Sequence, residues 1–195
     1  MNDKSRKKGD MVKESDLTYH DYAAIEDGNR YELVRGQLEL MSPAPTVTHQ
    51  MVSFEIQKMI SQSCASSYFI LYAPIDLILS NKEVRQPDIV LIDRKRMDIL
   101  SKRGIEGTPN MVMEILSPST LKRDKMDKLE TYAYYGIPEY WIVEPEIGFV
   151  EVYTLQNEIY HIHNVFQGKE VVHSPLIPCI SFTMEKVMKQ IPHLE

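Results

Sequence analysis

Two short apolar runs each carry a single carboxylate: Gln86-Pro87-Asp88-Ile89-Val90 and Met111-Val112-Met113-Glu114-Ile115-Leu116. Uninterrupted apolar runs of this length mark strands buried on both faces, so the chain has to fold around a covered sheet. A buried, unpaired carboxylate costs on the order of several kcal/mol. Two of them on neighbouring strands need a common partner, and a divalent cation is the simplest one. Hard cations such as Mg²⁺ or Mn²⁺ take oxygen ligands and keep places for water and phosphate oxygens. Asp88 and Glu114 are therefore the predicted metal ligands, and phosphodiester chemistry is the predicted use. The sequence has no HExxH, no CxxC and no Walker-type glycine loop.

With 195 residues, 43% of them hydrophobic, the chain can bury a real core as one domain. The domain is predicted over residues 18–195, after a polar N-terminal tail at 1–17 that is expected to be disordered. Cys64 and Cys179 lie far apart and match no ligand spacing, which predicts two reduced core thiols rather than a disulfide. No signal peptide or membrane span is visible, so the expected compartment is the cytoplasm. The net charge of −6 argues against coating nucleic acid by bulk attraction. Basic residues cluster locally, with Arg94, Lys95, Arg96, Lys102 and Arg103 against Asp98 alone. That segment is a solvated face or a phosphate contact.

Arg30 to Met41 alternates around Arg35-Gly36, as a tight hairpin does, with Glu32 on its first strand. Thr46 to Cys64 places Val52, Ile56, Met59 and Ile60 at helical spacing. Inner strands are predicted at Tyr68–Leu79, Pro87–Asp93 and Asn110–Leu116. Ser117-Pro118-Ser119-Thr120 then stops the last strand and offers a serine cap for a helix reaching about Tyr135, closed by Gly136-Ile137-Pro138. A strand at Tyr140–Val143 follows, then a meander through Phe149–Leu155, Glu158–Phe166 and Lys169–Val172, and a short helix from Thr183 to Gln190. This order predicts an α/β fold, a mixed β-sheet flanked by helices with additional β-hairpins.

The segment from Glu114 to Lys128 can be tested by length. A strand from Glu114 to Ser119 rises roughly 17 Å. If the helix returns antiparallel over the sheet, nine of its residues bring the chain back roughly 13 Å. Lys128 then stands nearly level with Glu114, while Lys122 and Lys125 fall short by one or two turns. An ammonium beside two metal-binding carboxylates can orient and help deprotonate an attacking water, or neutralise phosphate charge. The competing assignment is a surface lysine paired with Glu130, Asp124 or Asp127.

The residues Tyr31-Glu32-Leu33, Gln86-Pro87-Asp88, Glu114-Ile115-Leu116-Ser117-Pro118-Ser119-Thr120, Asp124, Lys128 and Gly136-Ile137-Pro138-Glu139-Tyr140-Trp141 resemble the Uma-type family of bacterial restriction endonuclease-like proteins, within the PD-(D/E)XK nuclease superfamily. The resemblance runs from about residue 18 to residue 185. It implies a restriction-endonuclease-like core, Asp88 as the Asp of the PD motif, Glu114 as the second metal ligand and Glu32 as the upstream acidic residue. The superfamily's lysine stands two residues after the second acid, where this chain has Leu116, and Lys128 takes its place. His49 resembles a recurring family histidine that contacts phosphate or a metal-bound water, or else serves as a core or capping residue. Asp124 organises its loop or bonds Arg123 and Lys128. Glu139 closes a helix-to-strand corner or reaches Lys128, and Trp141 packs in the core.

Three functions follow. The first is a Mg²⁺-dependent (or Mn²⁺-dependent) endonuclease acting on DNA through a metal-activated water, as a homodimer in the cytoplasm. The second is a nucleic-acid-binding or regulatory module that kept the fold and lost catalysis. The third is an oligomeric partner-binding protein whose acids are paired with Arg or Lys inside the core.

Overall fold

The computed structural model describes residues 16–41 and 44–192. In chain order it contains helix α1 (Tyr19–Ala23), strands β1 (Tyr31–Val34) and β2 (Gln37–Leu40), helix α2 (Val47–Cys64), and strands β3 (Tyr68–Tyr72), β4 (Leu77–Ser80), β5 (Glu83–Arg85), β6 (Ile89–Asp93), β7 (Ile105–Glu106) and β8 (Met111–Ile115). A π-helical turn, Arg123–Lys128, leads into helix α3 (Leu129–Tyr134). Strands β9 (Glu139–Glu144), β10 (Phe149–Gln156), β11 (Ile159–Gln167), β12 (Val171–His173) and β13 (Ser181–Thr183) and helix α4 (Met184–Met188) complete it. The fold is mixed α/β, with mixed sheets flanked by helices. The polar tail expected at residues 1–17 lies almost wholly outside the described residues.

The central sheet runs β11-β10-β9-β8-β6-β3, and a second sheet runs β2-β1-β5-β4-β7. In the central sheet β8 and β9 are parallel and the other neighbours antiparallel. Side-chain alternation splits its strands cleanly. Met111, Met113, Trp141, Val143, Ile89 and Leu91 face α2, where Val52, Ile56 and Ile60 cover them. Val112, Tyr140, Ile142, Val90 and Ile92 face the other way, against Tyr132 and Ala133 of α3 and against Leu77 and Ile105 of the second sheet. Both faces are covered, which is why β6 and β8 read as uninterrupted apolar runs.

The Arg35-Gly36 hairpin forms as expected, both turn residues having positive φ, and Thr46 caps α2 through its side chain. The predicted strand Tyr68–Leu79 breaks in two at Ala73-Pro74. Its first half, β3, is the edge of the central sheet rather than an inner strand, and its second half, β4, joins the other sheet. Proline has no N–H to give a ladder, so a run that contains one divides there. The meander also ends early. β10 and β11 form a hairpin on β9, whereas β12 leaves to pair with β13 in a two-stranded sheet.

The cysteines correct a third expectation. Cys64, the last residue of α2, is joined to Cys179, just before β13, in a disulfide. A sequence separation of 115 says nothing about distance in space, and α2 packs directly against β13. The two reduced core thiols expected from the sequence are therefore replaced by a cross-link between α2 and the segment before β13. Among the described residues no helix is long and apolar enough to cross a membrane.

Candidate active site

Asp88 stands one residue ahead of β6, and Ile89 pairs with Met113. Continuing that antiparallel register by one residue sets Asp88 opposite Glu114, the two acids leaving the sheet on the same face. Asp88 is held by one oxygen. Its Oδ2 accepts from Ile115 N at 2.8 Å and sits 3.2 Å from His49 Nε2. Glu114 is likewise anchored through Oε1, which accepts from Tyr132 Oη at 2.8 Å and from Lys128 Nζ at 2.8 Å. Among the described residues the second oxygen of each acid, Asp88 Oδ1 and Glu114 Oε2, accepts no hydrogen bond.

Lys128 reaches Glu114 because the chain after β8 turns back over the sheet, by a shorter path than the lengths assumed: the strand ends at Ile115 rather than Ser119, and the return begins as a π-helical turn. Its ammonium also lies 3.2 Å from Asp124 and 3.8 Å from Glu32. Asp124, Lys128 and Tyr132 are spaced by four and come to one face of the helical segment. A π-helical turn carries the first two of them, a local geometry that often marks functional positions. Burial alone would neutralise Lys128, but the carboxylates of Glu114, Glu32 and Asp124 reverse that and hold it firmly as an ammonium. Burial pushes the Glu114 carboxyl above its ordinary range, with Asp124 and Asp88 adding to the push and Lys128 opposing it. For His49, burial lowers the imidazole and the hydrogen bond and charge of Asp88 more than restore it.

Glu32 is brought to Lys128 and not to open space. It is 0% exposed, its Oε1 accepts from Gln86 N at 2.9 Å, and its Oε2 lies 3.4 Å from Arg85 Nη1 and 3.9 Å from Arg123 Nη1. Burial would raise its carboxyl, but Lys128, Arg85 and Arg123 together bring it below the usual range. Glu32 thus ties the hairpin to the residues leading into Asp88.

Glu139 does not reach Lys128. It shares the α2 face of β9 with Trp141, opposite to Glu114, and accepts from Trp141 Nε1 at 2.7 Å, Ser174 Oγ at 2.5 Å and Leu176 N at 2.8 Å. One residue of strand parity separates the two roles. Trp141 is fully buried in the core, as expected. The basic segment from Arg94 to Arg103 follows the far end of β6, roughly 17 Å along the strand from Asp88. There Arg94 lies 4.3 Å from the centroid of the Phe69 ring and Arg103 pairs with Glu106, so neither contacts the cleft. The hydroxyls of Ser117, Ser119 and Thr120 bond one another rather than a helix N–H.

Asp88, Glu114 and Lys128 line a cleft of about 390 Å³ with His49, Arg30 and Arg123 on its walls. Arg30, Arg123 and Tyr132 were not singled out from sequence, although the four-residue spacing to Tyr132 was readable. Among the described residues no three His, Cys, Asp or Glu side chains converge as a ready-made cage. Two facing carboxylates, each with one oxygen free of protein hydrogen bonds, fit a hard cation that fills its other positions with water and phosphate oxygens.

The fold has a solved counterpart, a putative nuclease belonging to DUF820 from Anabaena variabilis. It is 17% identical, superposes with a TM-score of 0.72, and the match covers 89% of this chain and 98% of that one. No curated protein matches the sequence. The sequence itself matches Uma2, described as "Putative restriction endonuclease", over residues 17–185. That span takes in both sheets and every residue of the cleft, and the protein belongs to the Uma2 family.

Proposed function

We propose that this protein is a divalent-metal-dependent endonuclease of the PD-(D/E)XK kind, formed by residues 18–195, that hydrolyses phosphodiester bonds in DNA. One observation carries the reading: Asp88 and Glu114 face each other at an open cleft with Lys128 fixed on the inner oxygen of Glu114. Asp88 and Glu114 would hold Mg²⁺ or Mn²⁺, which supplies Lewis-acid stabilisation of phosphate charge and a more acidic attacking water. His49 and the Ile115 N–H fix the rotamer of Asp88, and Tyr132 and Lys128 fix that of Glu114. Held as an ammonium, Lys128 serves to orient the nucleophile and offset phosphate charge rather than to take a proton. Arg30 and Arg123 place further positive charge on the cleft wall for the substrate's phosphates. Glu32 is a positioning residue that holds Lys128 and the approach to Asp88.

The test is titration of Mg²⁺ and Mn²⁺ into the protein, followed by incubation with mixed DNA substrates. Binding with metal-dependent cleavage is the expected result. Metal binding without cleavage on any substrate would favour a nucleic-acid-binding module instead. The buried Leu116 at the superfamily's lysine position favours that second reading.

Action as a homodimer is part of the proposal, because two identical sites can cut both strands of a duplex. The edge strand β11 supports it. It runs from Ile159 to Gln167 without one acidic or basic side chain beyond His161 and His163, and exposes Ile159, Ile162 and Val165. Exposed edges normally carry charge that prevents such pairing. Sedimentation at twice the mass of the chain is expected, and Ile162→Lys should halve it. A monomer at all concentrations would remove this element.

A further inference from the structure

Beside the cleft, a second groove of about 410 Å³ runs between α2 and β3. The two depressions share His49, Gln50, Ala73 and Asp88, so the groove opens directly onto the site. Its α2 wall is the stripe Ser53, Phe54, Gln57, Lys58 and Ser61, and its β3 wall carries Tyr72 at the sheet edge. From His49 to Ser61 the helix rises roughly 18 Å.

The chemistry of this lining is uneven in a telling way. Phe54 is 62% exposed and Tyr72 60% exposed, two large rings presented to solvent from opposite walls. The chain carries 28 acidic residues, yet among the described residues the only one lining the groove is Asp88, at the shared end. Gln57 and Ser53 bond each other and offer their remaining donors and acceptors along the floor. Lys58 stands 6.0 Å from the centroid of the Phe54 ring. Aromatic faces with neutral hydrogen-bonding groups beside them suit a nucleobase, since every base has a π-face and polar edges. A base inside a duplex has both faces stacked on its neighbours, so only an unpaired one can enter.

We propose that the groove between α2 and β3 is a nucleobase subsite, in which an unpaired base next to the phosphodiester held at Asp88 stacks on Phe54 and Tyr72. The proposal rests on the nuclease reading and narrows its substrate class to DNA with a single-stranded segment beside the cleaved bond. Phe54 and Tyr72 act on binding, away from the reacting atoms.

The test uses the full chain as wild type, Phe54→Ala, Tyr72→Ala and Tyr72→Phe. Each is titrated, without divalent metal, against an oligonucleotide carrying one 2-aminopurine, both as a single strand and paired in a duplex. Wild type should prefer the single strand and quench its fluorescence. Each alanine variant should weaken that binding about 5- to 150-fold, the range for one lost aromatic stack, while Tyr72→Phe keeps it. Alanine variants that bind like wild type would overturn the subsite. So would equal affinity for the duplex, or a change in sedimenting mass that marks the patch as a contact between copies. Cleavage assays on the same proteins separate the two readings. Cleavage with unaffected alanine variants removes the subsite and keeps the nuclease, whereas selective single-strand binding without cleavage does the reverse.

Discussion

Asp88→Asn is expected to lower metal-dependent DNA hydrolysis by about 10²- to 10³-fold in kcat/KM, the size of losing one preorganised charge-stabilising group, while leaving the fold in place. The choice of asparagine follows from the contacts. Asp88 Oδ2 accepts the Ile115 N–H and faces His49 Nε2. Alanine would strand those buried groups at a cost of about 1–3 kcal/mol. Asparagine keeps an acceptor oxygen for the Ile115 N–H, while its NH2 replaces the other carboxylate oxygen and the charge is lost, so its unfolding free energy without metal should stay within about 1 kcal/mol of wild type. Metal then gives the discriminating readout. At a hundredfold excess over its Kd, Mg²⁺ should stabilise wild type by about 2.7 kcal/mol and the variant far less. If urea unfolding shows instead a large loss of stability and no metal effect in either protein, the acids are structural partners of His49 and Lys128 and the metal reading is wrong.

The elements that were legible in the sequence are those whose signal is local. The Arg35-Gly36 turn, the helical stripe of α2 and the two apolar strands each announce themselves within a dozen residues, and the central sheet follows from them. Lys128 was legible for a different reason. A strand and a returning helix have fixed rises, which singles out Lys128 over Lys122 and Lys125, although the strand ends at Ile115, four residues earlier than those lengths assume, and the return begins as a π-helical turn. What failed was long-range. Cys64 and Cys179 meet because α2 packs on β13, a contact that no spacing encodes. Of the two roles open to Glu139, reaching Lys128 fails because its orientation depends on strand register, and one residue of parity sends it to Ser174 instead. For the basic segment after Asp93, composition allows a solvated face or a phosphate contact, and the structure leaves it away from the cleft. The strand predicted at Pro87–Asp93 already puts that segment at the far end from Asp88, whereas the cations on the cleft wall, Arg30 and Arg123, come from two separate parts of the chain that only the fold brings together.

Lys128→Met is expected to produce the largest loss of stability of any change in the cleft, about 3–5 kcal/mol in urea unfolding without divalent metal. Methionine nearly preserves the length and apolar body of the side chain, so cavity formation contributes little. The cost is electrostatic. Lys128 lies within 4 Å of Glu114, Asp124 and Glu32, all of them buried. Without the ammonium, Glu32 still has Arg85 and Arg123, but Glu114 and Asp124 keep no cation this close among the described residues. A metal ion at Asp88 and Glu114 would return part of that missing charge. Millimolar Mg²⁺ should therefore recover a larger share of stability in Lys128→Met than it adds to wild type. Hydrolysis should stay lost, because the donor on Glu114 Oε1 is not replaced. Equal stability of variant and wild type without metal would mean that these carboxylates are not held apart by Lys128 at all. A stability loss that Mg²⁺ leaves untouched would show that the ammonium serves the core and not the metal site.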